Sequence, residues 1–248
     1  MGRPRKGLIQ SRGLGDIIIA LPIAKYFYDR GFDIYWPIDR RFLPSFTKSA
    51  PYARFLPVEP PTIKGAASYF LETPLAMLRE LGCETIHVLY SALGDLHYAV
   101  DPGLASFLSF DRYKYAIAGV PFREKWNLSI VRNRARERAL FDRLVKHENY
   151  IVCQFESGDF KVPFKMDIPE GTQVIHIHEA TDNLFDWLLI LERASMLILI
   201  DSCFANLVEQ LGISVKRKLF LPRSPHAFTP IFTGDWRYYS PTDSGGLR

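Results

Sequence analysis

The chain has 248 residues, 48% of them apolar and 23% charged, enough for one large folded domain or two small ones and ordinary for a globular protein. Its 31 Lys and Arg against 27 Asp and Glu leave a formal charge of +4, which suits an anionic partner without requiring one. Cys83, Cys153 and Cys203 lack paired spacing, which argues against a disulfide framework or zinc site and for a reducing, cytoplasmic compartment; no apolar run reaches the roughly 20 residues of a membrane span.

At the amino terminus Arg3, Arg5 and Lys6 precede an apolar run, the layout of a secretory leader. Arg12 and Asp16 stand ahead of that run, Pro22 lies inside it and no small-residue cleavage site follows, so it reads as a mature strand–helix unit. Residues 6–10 predict a first strand, 11–16 a tight turn, and 17–30 a helix with Ile17, Leu21, Ala24 and Tyr28 on one face and Gly31 as its stop. Residues 32–36 predict a second strand, completing a βαβ unit of about 30 residues and implying a parallel sheet. A strand is expected at 54–58, a helix at 66–81 closed by Gly82, and a strong strand at 84–90. Residues 91–101 form a loop at that strand's carboxyl end, a place for functional side chains.

Residues 122–146 read as mostly helical and carry Arg132, Arg134, Arg136 and Arg138. Arginines two apart cannot all share one helical face, so the run reads as a broadly solvated helix or a bridge between domains in preference to a nucleic-acid or phosphate contact. A second set of elements follows: a strand at 150–155, a turn at 156–159, and Lys161 and Lys165 around Pro163. Strands at 172–178, 196–200 and 218–221 alternate with helices at 184–194 and 202–211. The tail from Pro222 is expected to pack as an extended cover, reaching back onto the first domain, with a frayed end at 244–248. Two α/β halves result, 1–147 and 148–248, each opening on a strand and a Gly-bearing turn.

The apolar run 196–200 stops at Asp201-Ser202 and passes into helical spacing at Phe204, Leu207, Val208 and Leu211. Asp201 or Ser202 would cap that helix, and amides beyond it would face outward where open α/β sheets take ligands and where a helix start favours an anion. A plain capped helix is the structural alternative. Gly13 and Gly15 would admit close backbone approach or only shape their turn. No third glycine follows, and no acidic residue is expected at the end of the second strand, which disfavours a Rossmann oxidoreductase. His176, His178 and Glu179 lie at a strand's end without a further ligand beside them, so no metal site is expected.

Gly13-Leu14-Gly15-Asp16-Ile17-Ile18, followed by Leu21-Pro22, resembles the opening of the bacterial heptosyltransferases, the ADP-heptose:lipopolysaccharide enzymes of glycosyltransferase family nine. Their second signature is an apolar strand running into Asp-Ser-Gly, then His three residues on, then Leu-Ala. Here it appears as Asp201-Ser202-Cys203 with Asn206 at the His position and Leu207-Val208 after it. The leucine-rich helix from Asp186 to Ala194 that precedes it also matches. The Gly and His of the second signature are replaced, and the stretch between Lys165 and Thr172 is short for the helix the family carries there. The resemblance implies an α/β, GT-B-like fold, two Rossmann-like domains with parallel sheets facing a central cleft. The acceptor would sit on the first domain and the nucleotide sugar on the second, and transfer would invert the sugar without a metal.

On that resemblance Asp16 is the candidate base, with a helix cap as its structural alternative. Lys161, Lys165, Glu179, Asp201, Ser202, Cys203 and Asn206 are candidate donor contacts: lysines and helix-start amides for the diphosphate, Glu179 for the ribose. Arg12, Gly13, Gly15, Asp95 and His97 are candidate acceptor-side residues. The expected protein is a cytoplasmic, metal-independent, inverting glycosyltransferase. It would use a nucleotide-diphosphate sugar as donor, no cofactor, and a bacterial surface glycan as acceptor. The basic stretches keep open a phage-type enzyme that glycosylates a hydroxylated DNA base, and the altered second signature keeps open a non-catalytic nucleotide- or sugar-binding module.

Overall fold

The computed structural model describes residues 2–59, 70–91, 100–164, 168–223 and 232–239. The chain divides into two compact units, Met1–Val131 and Arg132–Arg248.

The first unit begins with β1 (Arg5–Ile9), α1 (Leu14–Asp29) and β2 (Asp33–Asp39), and continues through α2 (Leu43–Ser49), β3 (Ala53–Val58), α3 (Glu72–Glu80) and β4 (Thr85–Val88). The four strands pair in parallel in the order β3-β2-β1-β4. Two further helices follow, α4 (Pro102–Phe107) and α5 (Phe110–Ala118), and then a 3-10 turn at Phe122–Trp126. The predicted βαβ opening is present, with three differences. Helix α1 starts at Leu14, because Gly13 alone makes the turn. Its residues from Ile17 to Ala24 are buried without interruption, since the helix lies against the sheet's elements on one side and against α5 and the 3-10 turn on the other. A one-face pattern therefore misdescribes it, and Tyr28 is exposed. Strand β2 runs on through Pro37 to Asp39: its register with β1 ends at Gly7–Tyr35, so the N–H that proline lacks falls where that ladder has stopped, while pairing with β3 continues.

The absent Cβ of Gly7 has a packing reason, since one built there would lie 2.8 Å from Leu78 of α3. That close approach seats α3 on β1 around a core of Ile9, Tyr35, Phe70, Leu71, Leu78 and Tyr90.

The second unit opens with α6 (Arg134–Leu144) and β5 (Tyr150–Gln154), followed by a small antiparallel hairpin, β6 (Glu156–Ser157) with β7 (Phe160–Lys161). Then come β8 (Gln173–His176), a 3-10 turn at Leu184–Trp187, α7 (Leu188–Arg193), β9 (Met196–Ile200), α8 (Cys203–Gln210), β10 (Lys218–Leu221) and β11 (Trp236–Tyr238). The sheet order is β11-β10-β9-β5-β8, all parallel. Every residue of β9 is buried, as expected for a strand with neighbours on both edges and side chains covered on both faces. The described tail adds β11 to this sheet. It is fixed there by Glu209 of α8, a buried carboxylate that accepts from the Thr233 and Gly234 amides, the Thr233 hydroxyl and the Trp236 indole at 2.6 to 3.3 Å.

The expected long helix over 122–146 is broken: a 3-10 turn, a stretch at 127–133 that is neither helix nor strand, then α6, capped by Asn133, whose side chain accepts from Arg136 N at 3.1 Å. The arginines there are not simply solvated. Arg132 bonds both Glu137 and Glu192, and Arg136 grips Asp186 at 2.7 and 2.9 Å, with Thr181 and Asp182 beside it. Glu137 and Asp186 are buried, so these pairs satisfy enclosed carboxylates and fasten α6 to the segment 180–192.

Candidate functional site

Arg12, Gly13, Gly15 and Asp16 in the first unit, and Asp201, Ser202, Cys203 and Asn206 in the second, follow the carboxyl end of a strand at which the sheet order reverses, the place where open α/β sheets form ligand crevices. In the first unit the reversal lies between β1 and β4; in the second it lies between β5 and β9.

Beyond β1, Gln10, Ser11 and Arg12 lead to Gly13, whose φ of +79° makes the turn into α1. Tyr90, just past β4, holds this loop in place: its hydroxyl accepts the amides of Ser11 at 2.7 Å and Arg12 at 3.2 Å. Burial pushes that phenol up to about 12, so it stays protonated. Asp16 sits in the first turn of α1 with its side chain 36% exposed, and its Oδ1 lies 2.9 Å from Lys114 Nζ. Lys114, on α5, is buried and also donates to Gln10 Oε1 at 2.8 Å and to the Leu89 carbonyl at 3.2 Å. A Cβ on Gly13 would come within 2.6 Å of Asp16 Oδ2, so the carboxylate folds back over the turn. Gly15 lies in that same helical turn, partly exposed. Arg12 is exposed, with its guanidinium 5.0 Å from the centre of the Phe70 ring. Asp95 and His97 lie outside the described residues.

The extended β2 does end in an acidic residue, Asp39, contrary to the expectation of none. That carboxylate is 1% exposed and already accepts the amide and guanidinium of Arg41 at 2.6 to 3.2 Å, so it is in use as the cap of the turn after β2.

In the second unit Ser202 caps α8, accepting from Phe204 N at 3.2 Å, and its hydroxyl donates to Gln154 Oε1, at the end of β5, at 2.6 Å. The two strands flanking the reversal are thereby tied by their terminal polar residues. Arg223, just past β10, donates to the Asp201 carbonyl and to Ser157 Oγ at 3.1 Å, and lies over the Phe160 ring. The hairpin β6–β7 is thus held beside the start of α8. Lys161 is exposed at the hairpin's end and pairs with Glu156. Asp201 is half-buried, and Glu179 is exposed beyond β8. Burial pushes the Cys203 thiol up to about 12, which keeps it from acting as a nucleophile. Asn206 is buried; its amide nitrogen donates to the Ser202 carbonyl at 2.9 Å, and its Oδ1 has no hydrogen-bond partner. Lys165 lies outside the described residues. His178 Nδ1 is 2.8 Å from the His176 carbonyl, and no three His, Cys, Asp or Glu side chains converge among the described residues.

Lys114, Tyr90 and Gln10 contact the turn that carries Asp16, and Gln154 and Arg223 the turn at Asp201-Ser202; sequence reading missed all five. Gln10 and Gln154 did carry a signal: each is the polar residue that ends an apolar strand, as Asp201 ends its own.

No family model and no curated protein matches the chain. Among solved structures it superposes on the glycosyl transferase family 9 protein of Veillonella parvula DSM 2008, with a TM-score of 0.61 and 11% identity over 96% of this chain and 87% of that one. Escherichia coli ADP-heptose LPS heptosyltransferase II gives 0.51 at 11% identity over 95% and 90% of the two chains. The dodecameric iron-containing heptosyltransferase TibC, solved with ADP-D-beta-D-heptose, gives 0.56 at 14% identity, and this chain spans 63% of its length. At such identities the likeness speaks for architecture. The chain has an α/β fold of two parallel-sheet units, shared with the family nine glycosyltransferase structures it superposes on, and this is the GT-B-like fold class that its two turn motifs led one to expect.

Proposed function

We propose that this protein is a nucleotide-sugar-dependent glycosyltransferase that moves a sugar, with inversion and without a metal, onto a hydroxyl of a bacterial surface glycan. The observation that carries this reading is the Asp16 carboxylate, set in the first turn of α1 at the reversal of the first sheet and ion-paired through one oxygen to a buried lysine. Its other oxygen accepts the proton of the acceptor hydroxyl. The acceptor oxygen attacks the anomeric carbon as the bond from that carbon to the phosphate oxygen breaks, and the electron pair leaves with the nucleoside diphosphate. Negative charge grows on that diphosphate, and the chain offers it the amides at the start of α8 and the Lys161 ammonium. The solved relatives add support, since TibC was captured with ADP-D-beta-D-heptose.

The test is a melting-temperature panel of ADP-heptose, UDP-, GDP- and dTDP-sugars and the free diphosphates, with and without EDTA, followed by donor turnover. A donor at about 100 times its Kd stabilises the native state by roughly 2.7 kcal/mol, and the shift should survive EDTA. Asp16→Asn should keep that shift and lose about 10²- to 10⁴-fold in turnover. A shift abolished by EDTA refutes metal independence. No shift with any nucleotide refutes the donor class, and an undiminished Asp16→Asn refutes the base.

A further inference from the structure

We propose that Lys114 is a positioning residue for the Asp16 carboxylate, an assignment that rests on the reading of Asp16 as the base. A lysine ammonium carries three protons, and here three acceptors take them: Asp16 Oδ1 at 2.9 Å, Gln10 Oε1 at 2.8 Å and the Leu89 carbonyl at 3.2 Å. Two of these acceptors stand at the ends of β1 and β4, the strands that flank the reversal, and they hold the ammonium where Asp16 meets it. The lysine side chain is 3% exposed, so water does not loosen the arrangement.

An aspartate on a helix's first turn can rotate about two side-chain bonds and spend much of its time turned to solvent. Pinning Oδ1 fixes both rotations and leaves Oδ2 as the oxygen that meets a hydroxyl proton. Positioning of this kind matters because a misplacement of about 1 Å can cost about 10²-fold in rate. Gln10 takes part as the anchor of the anchor: it is 1% exposed, and its own amide nitrogen is fixed by the Arg12 carbonyl at 2.8 Å. A buried ammonium needs a carboxylate partner on structural grounds as well, so the two roles separate in the effect on kcat with and without the Asp16 carboxylate.

The experiment measures donor hydrolysis, with water standing in for the acceptor, on whichever nucleotide sugar of the panel above the protein turns over. Folding is checked by melting temperature. Lys114→Met should lower kcat about 10²-fold with donor KM within about twofold, and in an Asp16→Asn background it should cost less than about threefold more. Gln10→Met keeps the ammonium and removes one anchor; it should lose about tenfold in kcat and carries the test if Lys114→Met fails to fold. A folded Lys114→Met or Gln10→Met with full kcat overturns the proposal, as does an equal loss with and without the Asp16 carboxylate. An inactive Asp16→Asn beside a fully active Lys114→Met sinks the positioning role alone. A fully active Asp16→Asn, or a wild type inert toward every donor, sinks the base and the proposal together.

Discussion

Gly13 shows how much a single residue can hold in place. Its backbone is left-handed, a region that costs a residue with a Cβ about 1 to 2 kcal/mol, and the Cβ would also strike Asp16 Oδ2 at 2.6 Å. Gly13→Ala should therefore lower stability by about 1 to 2 kcal/mol and lower donor turnover by more than that loss explains, because the carboxylate must move. Urea unfolding beside kcat at a temperature where the variant is fully folded checks this; turnover that is unchanged would mean Asp16 does not need its present orientation. Legibility at this scale was uneven. Asp16, Ser202 and the glycines announced themselves by standing between an apolar strand and a helical pattern. Lys114 did not, because it lies in Tyr113-Lys114-Tyr115, where three adjacent buried residues show no one-sided spacing. Its partner Gln10 is 104 residues away, a contact that only the folded chain reveals.

At the scale of elements, strands β9 and β10 were legible to the residue, since a short apolar run with firm boundaries permits little else. Helices α4 and α5 were missed, and the helix expected over 122–146 was overextended, because arginines and glutamates favour helix locally while the Asn133 cap marks where it begins. Helix α8 has its start in the candidate donor site and its end on the tail, through Glu209. Glu209→Gln keeps the size but replaces a charged acceptor of four groups by a neutral one, and should cost about 1 to 3 kcal/mol. Thermal unfolding checks the figure. A variant as stable as the parent would show that β11 is held by its strand pairing alone.

For the molecule as a whole, the excess of +4 is small, and Arg132 and Arg136 of the densest arginine run are committed to carboxylates of their own unit. Counterion release from DNA scales with the number of phosphates met by available cations. Duplex DNA at about 10⁻⁵ M should therefore leave fluorescence anisotropy unchanged near physiological salt. Binding that weakens steeply with added salt would instead bring a DNA acceptor to the fore.

The strand orders of the two sheets also bear on whether one half can be read from the other. Counted within its own unit, the first described sheet runs 3-2-1-4 and the second 5-4-3-1-2. The glycine turn after β1 follows the first strand of its unit, whereas the Asp201-Ser202 turn follows the third, after β5 and β8. The two turns therefore stand at different places in the strand orders of their sheets, though each follows the end of a strand. Lessons learned by mutating one cannot be carried to the other by symmetry.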